Sequence, residues 1–148
     1  MRQNNQLASG VDAVIAILQE HSRVGDLVDT RICGAKLSAE VSAVMPTTAI
    51  VVKRNGVGTG IGVSDRMEWT RARIDVFAYG RTDYEAERVG LSAHHALKRF
   101  TGSQTVGSGI LVRSITHSAG PIQIEDPVTG WPALIYTYEV LHADYLAG

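Results

Sequence analysis

The chain has 148 residues, 45% of them hydrophobic, and a formal net charge of −1. A chain of this length buries about two-thirds of its unfolded surface, so we predict a single domain over residues 1–148. The near-neutral charge excludes a strong overall attraction to nucleic acid or to an anionic membrane. The single cysteine, Cys33, excludes an internal disulfide.

The start of the chain shows no pattern typical of a targeting segment. Residues 1–6 are polar and lack the apolar core of a signal peptide. The longest apolar run, residues 11–18, contains Asp12 and is too short to span a bilayer. We therefore expect a soluble protein that is made in the cytoplasm and has no membrane partner.

The first predicted element is a helix that begins near Ser9 and ends at about Gly25. Its apolar residues recur at the i, i+3, i+4 and i+7 positions that share one helix face. They are Val11, Val14, Ile15 and Leu18. A short extended piece follows at residues 31–33. Residues 35–44 are mostly small and carry only a weak strand or loop signal.

A strand and a glycine-rich loop come next. The β-branched residues of 47–54 predict a strand, and Asn55-Gly56 is a turn signal. Glycines then alternate along the chain at Gly56, Gly58, Gly60 and Gly62. We predict a hairpin between this strand and the one that starts at Met67. Residues 55–66 would form its extended, flexible tip and contact a neighbouring molecule.

The clearest pattern in the sequence is a long strand that runs directly into a capped helix. Along residues 69–79 the even positions are mostly small or apolar, which is typical of a strand with one buried face. The charged side chains at odd positions are Arg71, Arg73 and Asp75. Gly80 ends the strand. The capping box Thr-Asp-Tyr-Glu at residues 82–85 then predicts a helix over residues 83–100.

The last part of the chain predicts strands at residues 110–117 and 133–141. Residues 118–132 between them contain three prolines and are predicted to form a long loop. Loops of this length in a compact domain are usually functional or disordered. Candidate contact residues in the loop are Glu125, Asp126 and Trp131.

Together these elements predict an α+β fold, with a mostly antiparallel sheet of about four strands and two helices packed on one face. The other face is predicted to carry Arg71, Arg73, Asp75 and Arg113. A sheet face this polar lies either in water or against a partner.

The motifs of common active sites are incomplete. A phosphate-binding loop needs Gly-Lys-Ser/Thr at the start of a helix, whereas the alternating glycines lead into a strand. The histidines lack the spacing that puts two metal ligands on one helix face, and the 118–132 carboxylates lack EF-hand spacing. No Gly-x-Ser-x-Gly nucleophile motif occurs. We therefore predict no catalytic residue, no metal site, no cofactor and no enzymatic activity.

Several features follow one another in a recognisable order. They are an N-terminal amphipathic helix, a connection from Val24-Gly25 to Arg31-Ile32, an apolar strand after Pro46, the sequence RARIDVFAY at residues 71–79, a helix opened by residues 82–85, a loop with Asp126 and a closing strand at residues 136–140. In this order and spacing, residues 11–141 resemble the tail-terminator, or tail-completion, proteins of long-tailed bacteriophages and gene transfer agents.

The resemblance implies a structural virion protein that assembles as a hexameric ring. Such a ring caps the tail tube, ends tube polymerisation and forms the surface that joins the tail to the head, at the head-proximal end of the tail. Its partners are the tail tube protein and head–tail connector or neck proteins, and DNA passes through its lumen without sequence-specific binding. On this basis Arg71, Arg73, Asp75 and Arg113 are a predicted subunit or lumen interface. Predicted contacts to neighbouring rings or subunits are Asn55, Gly56, Gly58, Gly60, Gly62, Glu125, Asp126 and Trp131.

Two alternatives stay open from the sequence. Head-closure, neck and tail-tube subunits share the size and similar elements but assemble through different interfaces. A small cytoplasmic α+β ligand-binding or enzyme domain would instead use residues 118–132 as a lid, and would show a monomer or dimer with one well-formed pocket.

Overall fold

The computed structural model describes residues 9–56, 59–64, 67–107 and 109–143. In these ranges the helices are α1 (Gly10–Glu20), α2 (Ser22–Val28), α3 (Ala39–Ala43) and α4 (Asp83–Lys98). The strands are β1 (Ile32–Gly34), β2 (Ala49–Arg54), β3 (Thr59–Ser64), β4 (Met67–Tyr79), β5 (Gln104–Val106), β6 (Ile110–Glu125) and β7 (Pro132–Ala143). The predicted α+β class is confirmed, whereas the prediction of about four strands and two helices undercounts both.

One sheet contains all the strands of the described residues, in the order β1-β2-β4-β7-β6-β5, and β3 pairs with β4 beside this path. Only the pairing of β1 with β2 is parallel among them. The central strands β4 and β7 pair continuously, from Trp69 opposite Ala143 to Tyr79 opposite Ala133. This long pair sets the register that divides the side chains between the two faces of the sheet.

The hydrophobic core lies between one face of the sheet and helices α1, α2 and α4. The even positions of β4, predicted to be buried, are at most 1% exposed at Ala72, Ile74, Val76 and Ala78. They belong to one cluster with apolar residues of the three helices. We call the opposite side of the sheet the outer face. The short helix α3 lies beside this outer face, because its Ser42 lines a depression there together with Phe77.

The predicted first helix is two helices. Ser9 caps α1 as predicted, since its hydroxyl accepts from the amide of Val11 at 3.2 Å. The chain is extended at His21, between α1 and α2. In a continuous helix Val24 would point about 120° away from Leu18, which is six residues earlier. The break lets Val24 turn into the core, where it is 1% exposed.

The glycine-rich segment was predicted to be a flexible tip, but the backbone of residues 59–64 forms the strand β3. Gly60 lies opposite Thr70, and Gly62 lies opposite Trp69. Because β4 is longer than β2, β3 supplies hydrogen-bonding partners for the part of β4 that β2 does not reach. Gly58 lies outside the described residues.

The prediction of a loop over residues 118–132 is wrong for most of its length. Strand β6 continues to Glu125, and the loop spans only residues 126–131. Strand β5 pairs only with residues 110–112 of β6, so the later part of β6 has no described neighbour on that side. Pro121, which has no amide proton to donate, is tolerated at such an edge. Register shifts between His117 and Ile122, together with a left-handed Gly120 (φ 91°), absorb the irregular backbone.

The predicted cap of α4 is confirmed at its first bond. The Thr82 hydroxyl accepts from the Glu85 amide at 3.1 Å. The Glu85 carboxylate, however, accepts from the amide of Arg81 at 2.8 Å rather than from that of Thr82. The helix ends at Lys98, two residues before the predicted end.

Thr82→Ala is expected to lower the free energy of unfolding by about 1 kcal/mol, because the Glu85 amide loses its acceptor. Urea unfolding followed by far-UV circular dichroism measures the change. Thr82→Ser keeps a hydroxyl at the cap and is expected to stay within about 0.5 kcal/mol of the native chain. Equal losses for both variants would show that the hydroxyl does not cap the helix.

Candidate interaction face

Three of the predicted interface residues, Arg71, Arg73 and Asp75, lie side by side on the outer face, where they alternate with the buried positions of β4. The Asp75 carboxylate accepts from the Thr137 hydroxyl at 2.7 Å and from the Asn55 amide nitrogen at 3.3 Å. Asp75 therefore ties β4 to β7 and to the turn after β2.

Among the described residues, cations outnumber carboxylates around this group. The Arg71 guanidinium lies 3.6 Å from the Glu139 carboxylate, and both side chains are about half exposed. Arg73 is opposite Glu139 in the register but forms no ion pair within 4 Å among the described residues. Lys53 lies opposite Asp75. We call this region the charged end of the outer face.

The fourth predicted interface residue, Arg113, joins the same end from β6. It falls at a register shift between Val112 and Ser114. Its guanidinium lies 5.9 Å from the centre of the Trp69 ring, a cation–π distance. With Lys53, Arg71 and Arg73 it gives this end, among the described side chains, four cations against two carboxylates, Asp75 and Glu139.

The other half of the outer face is apolar, which was not predicted from the sequence. The register aligns one side chain from each of four strands into an apolar row, made of Val51, Phe77, Ile135 and Ile122. Ile122 is 55% exposed, whereas Val51 is 4% exposed. Tyr79 and Ile124 extend the apolar surface in the next row. The aromatic residues Phe77 and Tyr79, at odd positions of β4, are the one sequence feature that indicates this apolar surface.

The predicted contact loops lie at opposite ends of this face. Asn55 and Gly56 belong to the charged end, because Asn55 donates a hydrogen bond to Asp75. Strand β3, which contains Gly60 and Gly62, flanks the same end of β4. Glu125, Asp126 and Trp131 lie at the apolar end, beside the row of Tyr79 and Ala133. The fold therefore does not bring the two sets together.

Hydrogen bonds within the 126–131 loop hold its conformation. The Asp126 carboxylate accepts from the amides of Thr129 at 3.0 Å and Val128 at 2.9 Å, and these bonds lower the pKa of its carboxyl group. The backbone carbonyl of Trp131 accepts from the amide of Asp126 at 2.9 Å. Asp126 is thus engaged as a turn residue. Burial, and then the charge of Asp126, raise the pKa of Tyr79.

A second group of titratable side chains lies between α4, β6 and β7. The ring nitrogen Nδ1 of His94 lies 2.7 Å from the hydroxyl of Tyr138, which is 1% exposed. His94 also stacks on Tyr136, with ring centres 4.8 Å apart, and meets His117 edge-on at 4.8 Å. Burial, followed by the nearby His117, Lys98 and His95, lowers the pKa of His94.

Acid is therefore expected to destabilise the fold through His94. Because the folded-state pKa lies below the ordinary value of about 6.5, the unfolded chain binds this proton first. Stability is fully present above the unfolded-state pKa and falls as the pH drops from there toward the folded-state pKa. Thermal unfolding of the native chain and of His94→Gln between neutral and mildly acidic pH measures the effect. The variant is expected to lose less stability on acidification, and parallel curves would contradict the assignment.

In the part of the chain that the structure describes, no helix is long and apolar enough to cross a membrane. The described His, Cys, Asp and Glu side chains also form no group of three or more that could hold a metal ion.

Comparison with known proteins gives one kind of match. A scan against protein-family models finds no matching family, and a search of the curated proteins finds no matching protein. A search of solved structures finds a chain of a structure described as "Virion of native gene transfer agent (GTA) particle". The two chains superpose with a TM-score of 0.59 at 13% sequence identity, over 92% of this chain and 99% of that one. This protein therefore shares its fold, over nearly its whole length, with a chain of a gene transfer agent virion.

Proposed function

We propose that this protein is a structural subunit of a phage-type virion that acts as a tail terminator. In this role it forms a hexameric ring that caps the tail tube, ends tube polymerisation and provides the surface that joins the tail to the head. The observation that carries the proposal is the fold likeness, which covers 92% of this chain and 99% of a virion chain. The resemblance of residues 11–141 to tail terminators supports the same role, which is structural and involves no catalysis.

The outer face supports an assembly role. Its apolar end exposes Ile122 and partly exposes Phe77 and Ile135, and its charged end carries more cations than carboxylates. An apolar surface bordered by charged groups is typical of protein–protein contacts. A ring also needs two different surfaces on each copy, so that each subunit contacts the next in one direction until the ring closes.

The proposed partners follow from this position. The ring contacts the tail tube protein on one side and connector or neck proteins on the other, at the head-proximal end of the tail. DNA passes through the lumen. A lumen wall that carries cations such as Arg113 would attract DNA phosphates without reading sequence.

The mass of the native chain in solution tests the ring. Light scattering behind a sizing column, at several protein and salt concentrations, is expected to give six times the chain mass or a concentration-dependent rise toward it. Negative-stain electron microscopy of the chain mixed with tail tubes is expected to show it at tube ends. Binding along the tube or only to heads would favour a tail-tube or neck subunit, and a chain that stays monomeric and binds no tube would overturn the proposal.

Paired variants link assembly to the outer face. Ile122→Asp and Arg73→Glu each change one exposed outer-face side chain and are expected to reduce the fraction of assembled protein. Arg88→Glu places the same charge change on the exposed side of α4, away from this face, and is expected to leave assembly unchanged. Equal effects of Arg73→Glu and Arg88→Glu would exclude the outer face from the contacts.

A further inference from the structure

A depression of about 330 Å³ opens on the apolar end of the outer face. Val51, Phe77 and Tyr79 from two neighbouring strands line it. Residues of the segment that leads into α3 and the 126–131 loop complete the lining. Its volume lies at the lower end of the range of ligand pockets, which suits a few side chains of a peptide better than a large cofactor.

Two ammonium groups border this depression. Lys36 and Lys53 both line it, and both side chains are exposed. The Lys53 ammonium lies 5.6 Å from the centre of the Phe77 ring. The carboxylate of Asp126 also lines the site, but it already accepts two amides of its own loop. The depression therefore combines an aromatic lining with a border that attracts a carboxylate.

The rim of the depression is held in an unusual backbone conformation. Ala35, which lines it, has a left-handed backbone (φ 69°), and its amide donates to the Val52 carbonyl at 2.8 Å. Alanine rarely adopts this conformation, and such strain is concentrated at binding sites. The bond to Val52 fixes the position of Lys36, which follows Ala35 directly.

Two end segments of the chain lie outside the described residues, and their sequences differ in charge. Residues 1–8 contain one arginine and no carboxylate. Residues 144–148 read Asp-Tyr-Leu-Ala-Gly, which places a carboxylate directly before an aromatic and an aliphatic side chain. Only the second segment matches a depression that has two ammonium groups and an aromatic lining.

Residues 144–148 cannot reach the depression of their own copy. Strand β7 ends at Ala143, opposite Trp69, while Phe77 lies eight residues farther along β4. Eight strand residues span about 26 Å, whereas five extended residues reach about 17 Å at most. In addition, β7 runs away from the depression as it approaches Ala143. If residues 144–148 bind this depression, they must therefore come from another copy.

We propose that this depression binds residues 144–148 of a second copy of the chain, with Tyr145 and Leu146 against the aromatic lining and Asp144 beside Lys36 and Lys53. This contact deepens the proposed ring function and rests on it, because each copy would donate one segment and accept another. Such a head-to-tail exchange uses two different surfaces, as a closed ring requires.

Fluorescence anisotropy with a labelled peptide of residues 143–148 tests the site directly. The acceptor is the full-length variant Tyr145→Ser/Leu146→Ser, whose own segment cannot compete. Adding Lys36→Glu/Lys53→Glu to it is expected to weaken peptide binding about tenfold, because attraction at the border becomes repulsion. Ser42→Trp fills the depression and is expected to abolish binding, whereas Arg88→Glu is expected to leave it unchanged.

The outcomes separate this proposal from the ring itself. A peptide that does not bind, or that binds the lysine variant and the Arg88 variant equally, overturns the docking site. If Tyr145→Ser/Leu146→Ser assembles like the native chain, the segment exchange is wrong and the ring stands. If the native chain stays monomeric and binds no tail tube while the peptide binds as expected, the ring is wrong and the docking site stands. Circular dichroism of each variant confirms that it is folded.

Discussion

Gly80→Ala is expected to lower the free energy of unfolding by about 3 kcal/mol, the upper end of the usual cost of overpacking. Gly80 is buried between β4 and α4. An added Cβ would overlap the amide nitrogen of Ala86 and would lie 2.8 Å from the carbonyl carbon of Glu85. Both atoms are backbone atoms of the first turn of α4, so the helix would have to shift away from the end of β4.

Chemical denaturation of Gly80→Ala and of a matched glycine variant measures this effect. Gly25 lies in α2, has ordinary helical backbone, and has no atom within 4 Å of an added Cβ. Gly25→Ala is therefore expected to raise stability by about 0.5–1 kcal/mol. A Gly80→Ala variant as stable as the native chain would show that α4 does not approach the strand end this closely.

Tyr138→Ala is expected to be the most costly single substitution in the core, with a loss of about 3–5 kcal/mol. Tyr138 is the largest side chain among those that are almost fully buried, at 1% exposure. Its ring fills the space between α4 and β7, and its hydroxyl lies 2.7 Å from His94. Truncation would leave a cavity and deprive His94 of its hydrogen-bonding partner.

Tyr138→Phe separates the two contributions. It keeps the ring and removes only the hydroxyl, so the expected loss is about 0.5–1.5 kcal/mol. Combining it with His94→Gln in a double-mutant cycle measures the coupling of the two side chains. If Tyr138→Phe were as costly as Tyr138→Ala, the buried ring would contribute little, and the assignment of Tyr138 to the core would be wrong.

The elements that were predicted well are those defined by neighbours in the sequence. The alternation along residues 69–79 and the bond from Glu85 to Thr82 depend on contacts two or three residues apart. The break at His21 was missed because helix propensity does not encode the direction of the core. Whether α1 continues or turns depends on where Val24 can be buried.

The errors in the second half of the chain have a different cause. Prolines and glycines in residues 118–125 indicated a loop, but their effect depends on whether a neighbouring strand needs the missing amide proton. Pro121 lies where β6 has no partner among the described strands on that side, so the strand continues and carries Ile122 onto the outer face. No local pattern shows which strand will be at an edge.

Local patterns in the chain predict the α+β class, the buried face of β4, the caps of α1 and α4, and the presence of Arg71, Arg73 and Asp75 on the opposite face. These features follow from backbone periodicity and short-range hydrogen bonds. No local pattern predicts that Ile122, Ile135 and Phe77 form one apolar row, or that the predicted contact loops lie at opposite ends of the face; both depend on how the strands pair. Strand register is set by long-range pairing of whole strands, which here brings Phe77 directly opposite Ile135, 58 positions later in the chain.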